Sequence, residues 1–557
     1  MLGSKLMKTP LLKNATRAAG FSTLLLFVAP ALTFLPGCTD LGESPTSSIA
    51  ADNFYRNQDE IIGGLAGVYN TMRQMTEDYW YVNEVTSDEF VVPTRGSDWL
   101  DGGKWLDMHR QTWTSSSPAG LTNINGAWVN LFTGVARANT TLAAIEPTTS
   151  LAATDKAIIQ AEIRTLRAYY YFCLQDLFGG VPIVTDIEIK ARPQNTRAEV
   201  SKFIEDELNA VRGTLPVSWP ANMNGRMTRG AADAILASLY LNAEVFTGTV
   251  TATGLTKGTQ RWQSALDAAN RVLNSTAGYA LETNWVKNFT ADNYASKEII
   301  MATKELNTNS PDLGLNFMMR TLHYNSLSSQ TPWNGFATIA ETYGAFDPAD
   351  IRRGIFLSGP QVNLETGQPA FERDKVTPLN FTIGINDPTQ AKESEGIRVM
   401  KWPLDPNKVG VDNGNDYGTF RLGEIYLIKA EAENELGPTA QAIIDLNTIR
   451  ARAFSPAKPT TAVTQAQVRE AIYQERLFEL TAESKRRQDL IRAGPMPAGT
   501  YPAGSPLIPV NRYLVPWSFK LLTTEAATTA RPPYKILFPI PQTQIETNPL
   551  LKQNAGY

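Results

Sequence analysis

Apolar residues recur at three- and four-residue spacing over much of the chain, which is the pattern of helices that bury one face. An early example lies between Asn57 and Met75, where one face carries Ile61, Ile62, Leu65, Val68, Tyr69 and Met72. The same spacing predicts helices over 124–145, 155–178, 228–240 and 262–273. Gly179 and Gly180 set a clear end to the second of these, and Thr228 caps the third. The pattern therefore predicts a mainly α protein.

Two further helical runs, 421–436 and 439–453, flank the pair Gly437 and Pro438. Their combined length is close to that of one tetratricopeptide repeat, and a long third helix is predicted over 464–492. A helix pair of this kind buries its apolar stripe only by stacking on neighbours. We therefore expect several pairs to pack together.

Three long stretches between the helical blocks are rich in Trp, Gly, Pro, Asn and Asp, namely 82–118, 307–418 and 494–531. Long irregular segments are uncommon in a folded protein unless they carry function. We therefore expect these loops, with short strands, to form the ligand-binding face.

The N-terminus has the layout of a signal peptide. The first 37 residues contain four basic side chains and no acid, and an apolar run over 21–35 follows the basic part. That run has about fifteen residues, whereas a helix needs roughly twenty to cross a bilayer. Cleavage as an ordinary secretory signal is one reading. Because Cys38 directly follows Gly37, we favour lipidation of Cys38.

The residues after Cys38 predict the domain organisation. Residues 38–51 are polar and contain Pro and Ser, as expected of a flexible tether. Residues 52–557 are expected to form a single folded body. If Cys38 carries lipid, Cys173 has no disulfide partner, and its apolar helical surroundings predict a buried, inert thiol.

The net charge of the chain argues against some classes of binding partner. The net charge of the whole chain is −4, and the predicted signal removes basic groups only, so the mature protein is more acidic. Such a surface binds phosphate backbones poorly, and no basic run interleaved with aromatics appears. We expect no nucleic-acid partner, and instead a partner of neutral or mixed charge.

The C-terminal run 536–549, ILFPIPQTQIETNP, with the closing QNAGY, resembles the ending of the SusD/RagB family. Three other segments resemble that family in the same order, at 164–182, 421–433 and 475–492. Together with Cys38, they span nearly the whole mature chain.

Membership implies a SusD-like fold with tetratricopeptide-like helix pairs. It also implies a lipid-anchored protein at the outer-membrane cell surface that acts as the lid of a SusC-type TonB-dependent transporter, with the helix pairs facing the barrel. Such a lid binds nutrient oligosaccharide or peptide without changing a covalent bond, so it is not an enzyme and needs no cofactor. The family's ligand contacts do not form a fixed motif, so none is transferred.

Candidate contacts follow instead from the chemistry of sugars, which offer apolar faces to aromatic rings and hydroxyl edges to polar groups. Two loop segments, 88–105 and 323–336, supply both kinds of side chain. We hypothesise that one cleft is lined by Arg95, Asp98, Trp99, Trp333 and Asn334. The alternative is that the tryptophans pin long loops to the helical body. Replacing Trp99 by alanine should distinguish the two, because a surface role predicts weaker ligand retention with a nearly unchanged melting temperature.

Other chemistry finds little support. His109 and His323 lack the spacing of metal ligands, no G-x-S-x-G sequence appears, and we assign no metal. Gly63, Gly64 and Gly67 lie in a helical pattern, where they are expected to allow close helix packing. The segment 412–416 is read as a solvated turn, because its spacing departs from a calcium-binding loop.

Two rival functions stay open beside the transporter lid. A glycoside hydrolase needs only two carboxylates, and Asp88 with Glu89 is the obvious pair. As neighbours on a strand they would point to opposite faces, which argues against a shared catalytic centre. The other rival is a structural helix-repeat scaffold that binds a protein partner and no small ligand.

Overall fold

Helices dominate the residues that the computed structural model describes, which are 55–308, 313–494 and 532–557. The α-helices are α1 Gln58–Asn70, α2 Asp78–Glu84, α3 Lys104–His109, α4 Asn125–Ile145, α5 Ala153–Phe178, α6 Arg197–Val211, α7 Arg229–Leu241, α8 Ala243–Phe246, α9 Trp262–Leu273, α10 Phe317–Thr321, α11 Ala340–Ala345, α12 Leu422–Leu436, α13 Thr439–Ala451, α14 Gln465–Leu480, α15 Arg486–Ala493 and α16 Gln542–Thr547. The predicted mainly α fold is confirmed. The signal segment, Cys38, the tether and nearly all of 494–531 lie outside the described residues.

Short antiparallel strand pairs connect the loops to the helices. The strands are β1 Thr249–Thr251, β2 Gly254–Thr256, β3 Ile299–Thr303, β4 Phe356–Leu357, β5 Gly359–Pro360, β6 Asn380–Phe381, β7 Arg398–Val399 and β8 Tyr417–Arg421. They pair as β1–β2, β3–β8, β4–β7 and β5–β6. The β3–β8 pair is buried along almost its full length and leads directly into α12.

The helices pack in a continuous series, α4 on α5, α5 on α6, α7 on α9, α9 on α12, and α12 on both α13 and α14. From Ile163 onward almost every residue of α5 is buried, because neighbours cover it on all sides. The predicted stacking of helix pairs is therefore confirmed. Among the described residues, no helix is both long and apolar enough to cross a membrane.

Most of the predicted helix boundaries agree with the structure. The hydroxyl of Thr228 accepts a hydrogen bond from the Ala231 N–H at 3.1 Å, which caps α7. Gly179 ends α5 with a φ of +76°, a conformation that glycine adopts without steric cost. Cys173 is fully buried in α5, and burial raises the pKa of its thiol to about 12, as expected for an inert thiol.

Two helical features differ from the prediction. Helix α6 was missed, although Thr196 and Glu199 form a reciprocal capping box at its start. The single helix predicted over 464–492 is wrong, because α14 and α15 are separated by a turn in which Ala482 and Ser484 have positive φ. That turn is held by two buried glutamates of a distant segment, which sequence periodicity does not reveal.

The expected role of Gly64 and Gly67 also needs correction. A Cβ added at Gly67 would meet nothing within 4 Å, and one added at Gly64 would strike the ring of Tyr55, not another helix. The close helix contact lies instead at Gly134 of α4, where a Cβ would lie 2.6 Å from the Tyr170 ring.

The segments that resemble the SusD/RagB family meet in a buried ion-pair network. Arg421 contacts Glu298 at 2.7 Å, Glu479 at 3.0 Å and Glu483 at 2.7 Å, and its side chain is fully buried. Buried charges persist only when they are paired and hydrogen-bonded. These motif residues therefore hold the helices to β3 and β8.

The C-terminal segment closes the end of α5. The Phe538 N–H donates to the Leu177 carbonyl at 2.8 Å, and the Asn554 amide donates to the Phe178 carbonyl at 2.9 Å. The Trp113 indole donates to the Tyr557 hydroxyl at 2.7 Å. The closing residues QNAGY thus have a structural role.

Candidate functional site

Three loop segments lie side by side and bring the predicted site residues together. Val91 pairs with Ala337, and the adjacent Thr338 pairs with Ile397, each as an isolated antiparallel bridge. Because the Val91–Ala337 pair is antiparallel, the residues that follow Val91 lie next to the residues that precede Ala337. Arg95 contacts Asn334 there, and Trp99 contacts Trp333.

Trp333 combines an exposed side chain with a fixed backbone. The residue is 36% exposed, whereas the next residue, Asn334, is fully buried. The Trp333 N–H donates to the Met319 carbonyl at 2.6 Å, and the Trp333 carbonyl accepts from the Trp99 indole at 2.7 Å. Trp333 therefore presents an exposed aromatic side chain from a fixed backbone position.

Trp99 is held mainly by packing. Its ring makes edge contacts with Trp105 and Phe336, at centroid distances of 5.5 and 5.4 Å. It also covers Gly335 so closely that any Cβ there would collide with the indole. The φ of Trp99 is +62°, which costs a bulky residue about 1–2 kcal/mol. Trp99 therefore supports Trp333 more than it displays a surface of its own.

Arg95 and Asn334 are buried behind this surface. Arg95 is 4% exposed and donates to the carbonyls of Asn334 and Glu395, each at 2.9 Å, and of Lys392. The Asn334 side-chain oxygen accepts from the Arg398 guanidinium at 2.7 Å. Burial lowers the pKa of Arg95 to about 10. Since neither predicted contact reaches the surface, we assign both to holding the loops together.

Asp98 lies at the surface in a small polar cluster. Its carboxylate accepts from the Tyr324 hydroxyl at 2.5 Å and from the Arg373 guanidinium, and the Tyr324 bond is the main cause of its lowered pKa. Arg373 lies over the Tyr324 ring at 3.4 Å, and its side chain is 51% exposed. Sequence reasoning missed Arg373, because it lies 275 positions from Asp98 and no local motif links the two.

A buried histidine completes the cluster. His323 Nδ1 accepts from the Asn325 N–H at 3.1 Å, so its Nε2–H donates to the Glu393 carboxylate at 3.0 Å. Glu393 also accepts from the Arg373 N–H at 2.9 Å. Burial is the main cause that lowers the pKa of His323 to about 4, so the ring is neutral at pH 7.

The charged side chains in and behind this cluster are all bonded within the protein. Three guanidinium groups, those of Arg95, Arg373 and Arg398, stand beside three carboxylates, those of Asp98, Glu393 and Glu395. All six bond to other parts of the protein. The partly exposed pair of Asp98 and Arg373 therefore offers a ligand polar edges that already neutralise each other.

The carboxylate pair considered for hydrolysis is buried elsewhere. Asp88 bonds to the Arg486 guanidinium at 2.8 Å, and Glu89 accepts from the Ala482 N–H at 2.7 Å. The segment 412–416 is not a solvated turn, because Asn413 and Asn415 are fully buried and the buried Asp416 is paired with Lys304. In the described part of the chain, no group of three or more His, Cys, Asp or Glu side chains is placed to hold a metal ion.

Comparison with known proteins gives matches along the whole folded chain. The model of the SusD family matches residues 275–557, and a model described as "Starch-binding associating with outer membrane" matches residues 43–241. A SusD-like protein of Formosa agariphila is 24% identical, with 93% of this chain and 96% of the relative covered. The starch-binding protein SusD of Bacteroides thetaiotaomicron is 25% identical, with coverages of 94% and 91%.

Solved structures show the same fold. The chain resembles surface glycan-binding protein A from Bacteroides uniformis with a TM-score of 0.68 and 20% identity, over 90% of this chain and 100% of that one. A laminarin binding SusD-like protein gives a TM-score of 0.67 and 22% identity with the same coverages. Because the family model covers more than half of the sequence, the chain belongs to the SusD family.

Proposed function

We propose that this protein is a lipid-anchored, non-enzymatic binder of neutral oligosaccharide at the outer surface of the outer membrane. Trp333 carries the proposal, because its backbone is bonded on both sides while its side chain remains exposed. An aromatic face of this kind suits the apolar face of a sugar ring, and the fixed backbone reduces the entropy lost on binding.

The polar neighbours of Trp333 support an uncharged ligand. Asp98 and Arg373 already neutralise each other, so either can share a hydrogen bond with a sugar hydroxyl without being left unpaired. The printed names of the relatives include binders of starch and laminarin, which agrees with this ligand class. Arg95 and Asn334 act from behind, as positioning residues.

Family membership supports the second half of the proposal. The bound oligosaccharide is passed to a SusC-type TonB-dependent transporter, over which the protein acts as a lid. Binding raises the local concentration of the sugar, and no covalent bond changes. The helix stack offers an extended surface of the kind that suits a protein partner.

The test is glycan binding by the chain without its first 38 residues, using laminarin and starch oligosaccharides in titration calorimetry. Trp333→Ala should weaken binding at least about tenfold, as expected for loss of one stacking face. The matched control is Tyr294→Ala, which removes another exposed aromatic side chain, 58% exposed and outside these loops.

Equal loss in both variants would contradict the assignment to Trp333. Release of reducing ends from either glycan at a catalytic rate would instead support the hydrolase reading. Failure to bind any glycan or peptide, together with capture of a protein partner, would support the scaffold.

A further inference from the structure

Three arginines at the ends of three helices line one pocket, whose lining shares no residue with the loops described above. They are Arg212 just after α6, Arg229 at the start of α7 and Arg271 in the last turn of α9. The pocket has a volume of about 530 Å³ and is also lined by Asn270 and Asn274.

A buried carboxylate orients two of the three guanidinium groups. Asp233 of α7, 2% exposed, accepts from Arg212 Nε and Nη2, each at 2.9 Å. It also accepts from Arg271 Nε at 2.7 Å. Asp233 bonds only to the Nε of Arg271, so neither of that residue's Nη groups is used in this contact.

Arg229 is fixed by a different set of acceptors. Its Nε donates to the Arg212 carbonyl at 3.2 Å, and its Nη2 donates to the Gly213 carbonyl at 3.1 Å, which satisfies the end of α6. Among the described residues, Arg229 Nη1, Arg212 Nη1 and both Nη atoms of Arg271 have no hydrogen-bond partner. The pocket is therefore lined by oriented donors with unused capacity.

The local charge favours an anion. Besides Asp233, the other carboxylate at the pocket is Asp267, which accepts a hydrogen bond from the Gln263 amide at 2.8 Å. Three guanidinium groups against two carboxylates leave one positive charge at the pocket. Planar guanidinium groups held by a supporting carboxylate are suited to binding oxyanions.

We propose that this pocket binds a tetrahedral oxyanion, as a sulfate or phosphate monoester. The volume exceeds that of a bare ion, so the ester can carry a sugar or a lipid. The site is separate from the Trp333 surface and does not depend on the function proposed for it.

The test is titration calorimetry of the chain without its first 38 residues with sodium sulfate, at ionic strength held constant with sodium chloride. Saturable binding is expected, and Arg271→Gln should weaken it about tenfold by removing two charge-assisted donors. Arg229→Gln gives an independent second variant. The matched control is Arg56→Gln, which removes an exposed cation from a lone surface pair.

Equal sulfate affinity in wild type and Arg271→Gln, or the absence of saturable binding, would overturn the proposal. Two further arms identify the source of the ester. Competition by glucose 6-sulfate indicates a soluble sugar ester. Binding to vesicles that contain phosphatidic acid, lost in Arg271→Gln, indicates a lipid headgroup.

Discussion

At the scale of single residues, burial separates side chains that present a surface from those that support it. Trp333 and Trp99 are both tryptophans on irregular loops, yet only Trp333 has its backbone bonded on both sides and its side chain exposed. Trp99 packs edge-on against two other rings and over a glycine. We therefore expect Trp333→Ala to weaken ligand binding and Trp99→Ala to lower the stability of the protein.

Trp99→Ala should lower the free energy of unfolding by about 2–4 kcal/mol, because it removes a packed ring and the indole donor to Trp333. This reverses the expectation from sequence, which was an unchanged melting temperature. Denaturant unfolding measures the effect. A change in the free energy of unfolding below about 0.5 kcal/mol would instead indicate that Trp99 is a surface side chain, as the sequence predicted.

His323 should make stability depend on pH. Its pKa in the folded protein is about 4, below the ordinary value of about 6.5, so the unfolded chain binds a proton more readily between these values. The stabilisation is complete above pH 6.5 and is lost as pH falls toward 4. Protonation of His323 thus contributes about 2–3 kcal/mol to the loss in the free energy of unfolding.

The check is denaturant unfolding at pH 7 and pH 4.5 for wild type and His323→Asn. Asparagine keeps an acceptor near the position of Nδ1 but does not titrate. The variant should lose less stability than wild type over this interval. Identical pH dependence in the two proteins would contradict a neutral, buried His323.

At the scale of elements, the sequence predicted most helices because their apolar stripes and caps are local. Helix α9 begins and ends at the residues expected, and Thr228 caps α7. The break between α14 and α15 was not predictable, because Glu84 and Glu89 hold it from about 400 positions away. The candidate site shows the same difference between local signals and long-range contacts. Trp333 was found from composition, whereas Arg373 reaches Asp98 only through the folded hairpin around β5 and β6.

Helix packing predicts opposite effects for two glycines. Gly134→Ala in α4 should destabilise the protein by about 1–3 kcal/mol, because the new methyl group would lie 2.6 Å from the Tyr170 ring of α5. Gly67→Ala in α1 is the matched control. It meets nothing within 4 Å and should stabilise by up to about 1 kcal/mol through helix propensity. Thermal and denaturant unfolding measure both, and stabilisation by both changes would show that α4 and α5 do not pack closely at Gly134.

At the scale of the whole molecule, the segments that resemble the family and the proposed ligand surface have different roles. The segments at 421–433 and 475–492 contribute to the buried ion-pair network around Arg421, and the C-terminal run closes the end of α5. The proposed ligand surface lies instead on loops outside the four segments that carry the resemblance to the family. This division explains why membership could be recognised from the sequence while the ligand contacts could not.

The proposed lipid anchor concerns the whole molecule, and Cys38 itself lies outside the described residues. Cys38→Ala should leave the folded body intact, because the described residues form their hydrophobic core without it, but should move the protein from the membrane fraction to the soluble fraction. Fractionation in cells that lack the transporter measures the lipid's contribution alone, and unchanged glycan binding is the control for folding. Retention of Cys38→Ala in membranes under these conditions would contradict lipidation. Retention only when the transporter is present would show that the transporter itself binds the protein. The experiment therefore tests both the proposed anchor and the proposed partnership.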